Sequence, residues 1–352
     1  MKKITVNASR SYDIIIGQNL LSHSGEYCLS ALGKSCRLCI LSDDNVAPLY
    51  LKTVKESLSA SGFDTLEYVI PHGEASKSTK SLVELVEFMA ESRLTRSDAL
   101  VALGGGVVGD LGGFAASVYL RGIPFIQMPT TLLAAVDSSV GGKTAVDLVA
   151  GKNLMGAFYQ PHLVLCDYTT LDTLPPSIFA DGCAEVIKYG VINDRAFFDS
   201  LKSGIRNQIE DVIAACVQNK ANIVEGDEFD KGQRQLLNLG HTVGHAIEAC
   251  SDLKISHGSA VAMGMVIVTR AAARLGYCTE NELSELIELI HNNGLSTSCP
   301  YTAEELTAVA TADKKRDGDS ISLVVPYGIG DCRLLKTPVG EICGFMEKGL
   351  EL

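Results

Sequence analysis

Apolar and polar positions change rhythm part-way along the chain. Before the Pro175–Pro176 pair, short apolar runs alternate with longer amphipathic ones. The segments "CRLCILSDD" (36–44), "DTLEYVIP" (64–71), "DALVALGGG" (98–106), "PFIQMPT" (124–130) and "LVLCDY" (163–168) read as strands. Between them "APLYLKTVKESLSASG" (47–62) and "STKSLVELVEFMAESR" (78–93) place apolar residues at helical spacing. That alternation predicts a parallel sheet with helices on both faces. The opening "KKITVNASRSYDIIIGQN" (2–19) reads as a hairpin added ahead of it.

After the two prolines helical periodicity takes over, in "AEVIKYGVI" (184–192), "SGIRNQIEDVIAACVQNKANIVE" (203–225), "LGHTVGHAIEAC" (239–250), "SAVAMGMVIVTRAAARLG" (259–276) and "ENELSELIELIHNNG" (280–294). The expected organisation is an α/β domain over residues 1–175 and a mostly helical domain over 176–352, with the functional cleft between them.

Composition narrows the functions available. The 352 residues are 46% apolar and 20% charged, enough for two cored domains. A net charge of −12 argues against nucleic acid, whose phosphates need clustered cations, and against an anionic membrane surface. "MKKITVNASR" turns polar where a secretory signal would turn apolar, and the longest apolar stretch, "SAVAMGMVIVT" (259–269), is about half a membrane span. Eleven cysteines are scattered singly, apart from Cys36 and Cys39, which a strand sends to opposite faces. Buried thiols in a reducing cytoplasm are the expectation.

Three groups of residues carry candidate chemistry. Gly104, Gly106 and Gly109 follow an apolar strand and open a small-residue helix, the setting of a dinucleotide turn. The carboxylate usually found about twenty residues on is missing from "PFIQMPTT", although Asp43 ends an earlier strand. His241 and His245 lie four apart on one helical face, and the glutamate that a zinc-protease helix carries after its first histidine is replaced by Thr242. Glu185 and His257 are further candidate ligands, and two histidines with one carboxylate from this set suit zinc. Glu185 also reads as an i,i+3 partner of Lys188, and His257 as a helix-capping residue. Basic residues recur among small polar neighbours: Arg121, Lys143, Lys152, Lys188, Lys220, Arg234 and the lysines of "DKK" (313–315). "DSSVGGKT" lacks the first glycine of a nucleotide-triphosphate loop.

Taken together, "GGGVVGDLGGFAAS", "MPTTLLAAVDSSVGGKT", "GKNLMGAF", "CAEVIKYG" and "LLNLGHTVGHAIE" resemble the 3-dehydroquinate synthases, from "SDDNV" to "DKKRDG". The resemblance implies a Rossmann-like domain followed by a helical one. It implies an NAD-dependent, zinc- or cobalt-using lyase of the shikimate pathway that turns 3-deoxy-D-arabino-heptulosonate 7-phosphate into 3-dehydroquinate and phosphate. Transient oxidation at C5 would allow phosphate elimination, followed by reduction, ring opening and aldol closure, with no net redox change.

Carried residue by residue, the resemblance makes Glu185, His241 and His257 the metal ligands and His245 a nearby proton-transfer residue. Asp43, Asn45, Glu74 and Lys77 match the adenosine end of NAD. Gly105, Gly106, Val107 and Asp110 match the pyrophosphate turn, and Thr130, Thr131, Thr173 and Leu174 match further cofactor contacts. Asp137 and Lys143 match the nicotinamide and substrate end. Lys152, Asn153, Lys188, Lys220, Arg234, Asn238 and one of Lys314 and Lys315 match the substrate-binding set. Arg121 matches a residue that reaches the neighbouring subunit's phosphate in a homodimer. The chain departs from the common pattern at Ala145 and Asp147, where many members carry Gly and Asn, and Asp147 adds negative charge near Lys143.

Other readings are a different sugar phosphate cyclase, a metal-dependent polyol dehydrogenase similar to glycerol dehydrogenase, and a ligand sensor without chemistry. The dehydrogenase would not need the Lys/Arg/Asn set, and the sensor would tolerate loss of a metal ligand.

Overall fold

The computed structural model describes residues 1–252, 254–312 and 319–350. The chain divides into two units, Met1–Leu174 with Ile209–Phe229, and Pro175–Gln208 with Asp230–Leu352.

In the first unit the opening residues form a hairpin, β1 (Lys2–Asn7) and β2 (Ser11–Gly17). It joins β3 (Arg37–Asp43), β4 (Asp64–Ile70), β5 (Ala99–Gly104), β6 (Phe125–Pro129) and, further along, β9 (Leu163–Asp167) in a seven-stranded sheet. Its order is β1-β2-β9-β6-β5-β3-β4. Only the β1–β2 pair is antiparallel. The apolar runs are continuous because both faces are covered. Along β3, Leu38 and Ile40 pack with α1 (Ser24–Leu32) and α2 (Ala47–Ala60), while Cys39 and Leu41 pack with α3 (Thr79–Glu91) and α4 (Gly106–Val118). Cys36 packs on the first face and Cys39 in the second, as the strand alternation requires. All eleven cysteines are free.

Two features of this unit escape the sequence pattern. Residues of "KTAVDLVAGKNLMGAF" form a hairpin, β7 (Lys143–Leu148) and β8 (Gly151–Phe158), that no segment named above covers. The amphipathic helix expected in the C-terminal domain, here α7 (Ile209–Gly226), belongs instead to the first unit. It lies against β1, where Glu225 accepts from the Asn7 backbone and side chain at 2.9 and 3.0 Å. Lys2 pairs with Asp211, and the terminal ammonium lies 2.7 Å from Glu210. The units are therefore not the two halves 1–175 and 176–352: a helix of the second half has its apolar face buried on the first sheet.

The second unit is mostly helical. α5 (Pro176–Asn193), α6 (Arg195–Leu201), α8 (His241–Cys250), α9 (His257–Arg274), α10 (Glu280–Asn292), α11 (Ala303–Ala312) and α12 (Ile342–Gly349) are joined by one antiparallel hairpin, β10 (Ser320–Pro326) and β11 (Cys332–Pro338). α9 is buried all round from Ala260 to Ala272, which is why "SAVAMGMVIVT" reads apolar without any polar face. No helix of the described residues is long and apolar enough to cross a membrane.

Candidate active site

In the second unit three helices converge because glycines let them. A Cβ on Gly264 of α9 would sit 2.1 Å from the carbonyl oxygen of Gly240, and one on Gly258 would sit 2.3 Å from that of Asp181 in α5. Gly240, which precedes α8, takes φ +77°, a conformation open to glycine at little cost. Asp181 then fixes the start of α9, accepting from Ser256 Oγ at 2.6 Å and the Ser259 amide at 3.1 Å. A Gly264→Ala protein is expected to lose about 2–3 kcal/mol of stability, since the added methyl meets backbone. A denaturant midpoint equal to wild type would show that α8 and α9 part without cost.

This convergence brings Glu185 of α5, His241 of α8 and His257 of α9 together, with ligand atoms all within 4.8 Å of one another. Both His241 Nε2 and His257 Nε2 lie 3.5 Å from Glu185 Oε1. His241 Nδ1 is 3.1 Å from the Leu239 carbonyl, which accepts from the ring when that nitrogen carries the proton and leaves Nε2 its lone pair. Glu185 is fully buried, and Lys188, also buried, pairs with it one turn on. The pair is not on the surface, where its spacing alone would have allowed it to lie. Two imidazoles, each giving up its Nε2 proton on binding the ion where it carries one, and a carboxylate suit zinc or cobalt.

Spacing alone made His241 and His245 equivalent, but the fold separates them. His245 stands exposed, its ring 5.4 Å from that of His241 and 6.0 Å from that of His257. Its ligand atoms group with Glu248 and His257 rather than with Glu185. Burial drives the His241 pKa down to about 3, holding the ring neutral. Burial also opposes charge on His257, but hydrogen bonds to Glu185 and Glu248 outweigh it and raise the ring to about 10. Glu248 was not singled out from the sequence, although "GHAIE" places it three residues after His245, on the same helical face. Close by in sequence, the turn Gln233–Asn238 carries Arg234, buried, and Asn238, half-buried. Lys314 and Lys315 lie outside the described residues.

In the first unit the glycine turn lies at the carboxyl end of β5. Gly105 precedes α4 without a side-chain cap, and Gly106 opens the helix, leaving its first N–H groups for an anion. Gly109 and Gly113 serve packing: Cβ atoms there would sit 2.8 Å from Gln127 Oε1 and 2.4 Å from Thr144 Cγ2. Val107 and Asp110 follow on α4. Asp110 Oδ2 is 2.5 Å from Lys77 Nζ. Burial raises the Asp110 pKa against the pull of Lys77, whereas the Asp110 charge raises Lys77 against its own burial.

Glu74, beside Lys77, lies 3.5 Å from Lys152 at the start of β8. The departure at Asp147 has a local role. Its amide donates to the Lys77 carbonyl at 2.9 Å, and its Oδ1 accepts from the Asn153 amide at 2.8 Å. Asn153, held at φ +58°, is thereby locked beside Lys152. Ala145 is buried in β7, against the position of Gly156.

The remaining candidates of this unit cluster at strand ends. Asp43 Oδ1 accepts from the Asn45 and Val46 amides, both at 2.9 Å. Thr130, after β6, is buried and its hydroxyl has no hydrogen-bond partner among the described residues, while Thr131 caps the following turn through the Ala134 amide at 3.2 Å. Asp137, in the π-turn Ala134–Ser138, accepts from Lys220 of α7 at 2.9 Å. Thr173 Oγ1 lies 2.6 Å from the Tyr50 hydroxyl, next to Leu174 at the unit's end. Lys143 is exposed at the start of β7. Arg121 is exposed on the turn after α4, where Leu120 and Arg121 take φ of +49° and +68°. Such backbone is unusual for these residue types and marks a constrained turn.

The comparisons with known proteins agree in both units. The profile described as 3-dehydroquinate synthase N-terminal matches residues 67–181, and that described as 3-dehydroquinate synthase C-terminal matches 182–316. The chain belongs to the 3-dehydroquinate synthase family. The 3-dehydroquinate synthase of Pelobacter propionicus is 46% identical over 342 residues, covering 94% of this chain and 95% of that protein. Among solved structures, a 2-deoxy-scyllo-inosose synthase complexed with carbaglucose-6-phosphate, NAD+ and Co2+ superposes with a TM-score of 0.88 at 28% identity, covering 99% of this chain and all of that one. A 2-epi-5-epi-valiolone synthase from Streptomyces hygroscopicus, with NAD+ and Zn2+ bound, gives 0.87 at 28% identity, covering 98% of each chain. The 3-dehydroquinate synthase family thus shares its fold with other sugar phosphate cyclases.

Proposed function

We propose that the chain is an NAD- and divalent-metal-dependent carbon–oxygen lyase that converts 3-deoxy-D-arabino-heptulosonate 7-phosphate into 3-dehydroquinate and phosphate. The observation that carries the reading is the Glu185–His241–His257 set, its carboxylate buried and paired to Lys188, in a chain that matches this family through both units. When bound, NAD+ supplies a hydride acceptor and Zn2+ or Co2+ polarises substrate oxygens.

The chain's own residues do the rest. Gly105, Gly106, Val107 and Asp110 hold the pyrophosphate end of the cofactor, Asp43, Asn45, Glu74 and Lys77 its adenosine end, and Thr130, Thr131, Thr173 and Leu174 the stretch between. The orphan hydroxyl of Thr130 supports such a contact. Asp137 and Lys143 face the reacting end. Lys152, Asn153, Lys188, Lys220, Arg234, Asn238 and one of Lys314 and Lys315 bind the carboxylate, hydroxyls and phosphate, which resolves how a chain of net charge −12 takes so anionic a substrate. His245, exposed beside the rings of His241 and His257, assists proton transfer. We place the enzyme in the cytoplasm, where eleven free cysteines stay reduced. We also infer a homodimer in which Arg121, presented on its strained turn, reaches the partner's substrate.

The test supplies the metal-loaded protein with that substrate and sub-stoichiometric NAD+, and follows phosphate and reduced nicotinamide together. Phosphate far in excess of NAD+ with no NADH accumulating is the expected result. NADH without phosphate would make it a polyol dehydrogenase, and turnover only with other sugar phosphates would make it another cyclase. A monomer in sedimentation under the assay conditions would remove the role given to Arg121.

A further inference from the structure

His257 is the least enclosed of the three candidate ligands: its side chain is 34% exposed, against 13% for His241 and none for Glu185. It is also the first residue of α9, at the end rather than the middle of its helix. A ring so placed needs a second attachment to keep one nitrogen on target. That attachment is present. Glu248 of α8, only 3% exposed, brings Oε2 to 3.2 Å from His257 Nδ1, while Nε2 of the same ring lies 3.5 Å from Glu185 Oε1.

We propose that Glu248 is a positioning residue for the metal centre, holding His257 so that Nε2 and not Nδ1 faces Glu185 and His241. The inference rests on the metal-site reading given above. A carboxylate accepting from Nδ1–H fixes the tautomer, fixes the ring plane and makes Nε2 a stronger donor. The two histidines are oriented by different groups, a neutral backbone carbonyl for His241 and a buried carboxylate for His257. Both rings open a helix, and the stronger acceptor serves the more exposed of the two. The same helix α8 supplies both His241 and Glu248, seven residues apart on one face, so one rigid element sets a ligand directly and a second ligand at one remove.

The experiment titrates metal-stripped full-length wild type, Glu248→Gln and Glu248→Ala with Co2+, following the visible absorption of the bound ion and, separately, thermal unfolding of the metal-free proteins. Glu248→Ala is expected to bind about 10- to 100-fold more weakly, with an altered cobalt spectrum. Glu248→Gln, whose amide oxygen still accepts from Nδ1–H, is expected to fall between it and wild type with the wild-type spectrum. If Glu248→Ala does not fold, the Gln variant decides alone. Unchanged Co2+ affinity in both variants, with only a lower melting temperature, would overturn the proposal in favour of a purely structural carboxylate. Complete loss of binding in the Gln variant would overturn it by making Glu248 itself a ligand. A wild type that takes up no Co2+ would remove the metal reading beneath it, a result distinguishable from either.

Discussion

Glu185→Gln is expected to lower kcat/KM by about a thousandfold or more, about 4 kcal/mol of lost transition-state stabilisation, and to release the metal on dialysis. The substitution preserves shape, so the loss is one of charge. The carboxylate is fully buried, with both imidazole Nε2 atoms at 3.5 Å and Lys188 paired to it. A neutral amide would leave a divalent ion with two neutral histidines, a weak set, and would take from the buried ammonium of Lys188 the charge of the carboxylate it pairs with. Metal content per chain and kcat/KM, measured on one preparation, check the expectation. One tightly held metal per chain with activity within tenfold of wild type would exclude Glu185 as a ligand.

How much of this centre could be read in advance follows from what is local and what is not. The helical spacing of His241 and His245 is local, and α8 reproduces it. Which of the two meets Glu185 depends on where α9 and α5 cross α8, and no spacing within one helix reports that. Resemblance to a family supplied the choice, and the geometry places His241, not His245, within reach of Glu185. Glu248 was missed because a glutamate ending an amphipathic helix looks like a solvated residue; only the tertiary structure shows it 3% exposed against His257.

The fold divides in the same way. The strands β3, β5, β6 and β9 are buried on both faces, so their apolar runs announce them. The β8 strand is mostly exposed, with Leu154 and Met155 facing out beside Asn153, and its pattern carries no clean period. The hairpin β10–β11 lies in a stretch dominated by helices and goes unread there, although "SISLVVP" is longer than β6 or β9. For α7 the helical period is plain, but a period says that a helix has an apolar face, not which unit buries it. The contacts of Glu225 and Asp211 with β1 decide that, across more than two hundred residues of chain.

Lys188→Met is expected to separate two properties that the loss of Glu185 would remove together. Lys188 is 1% exposed and paired to Glu185, so its ammonium competes with a metal for that carboxylate. Methionine fills similar volume without charge, which keeps the packing of α5 close to native. Co2+ affinity should therefore hold or tighten, by up to about tenfold, a charge effect worth about 1.4 kcal/mol. On the substrate-binding role proposed for Lys188, kcat/KM should fall about a hundred- to a thousandfold, since a charged donor to the anionic substrate is gone. Without metal the variant leaves Glu185 short of one cation, and a broken buried pair costs about 3–5 kcal/mol. Its unfolding midpoint should accordingly rise more steeply with Co2+ than that of wild type. Full activity would reduce Lys188 to a counter-ion. Metal lost together with activity would mean that the ammonium holds Glu185 in place rather than meeting substrate.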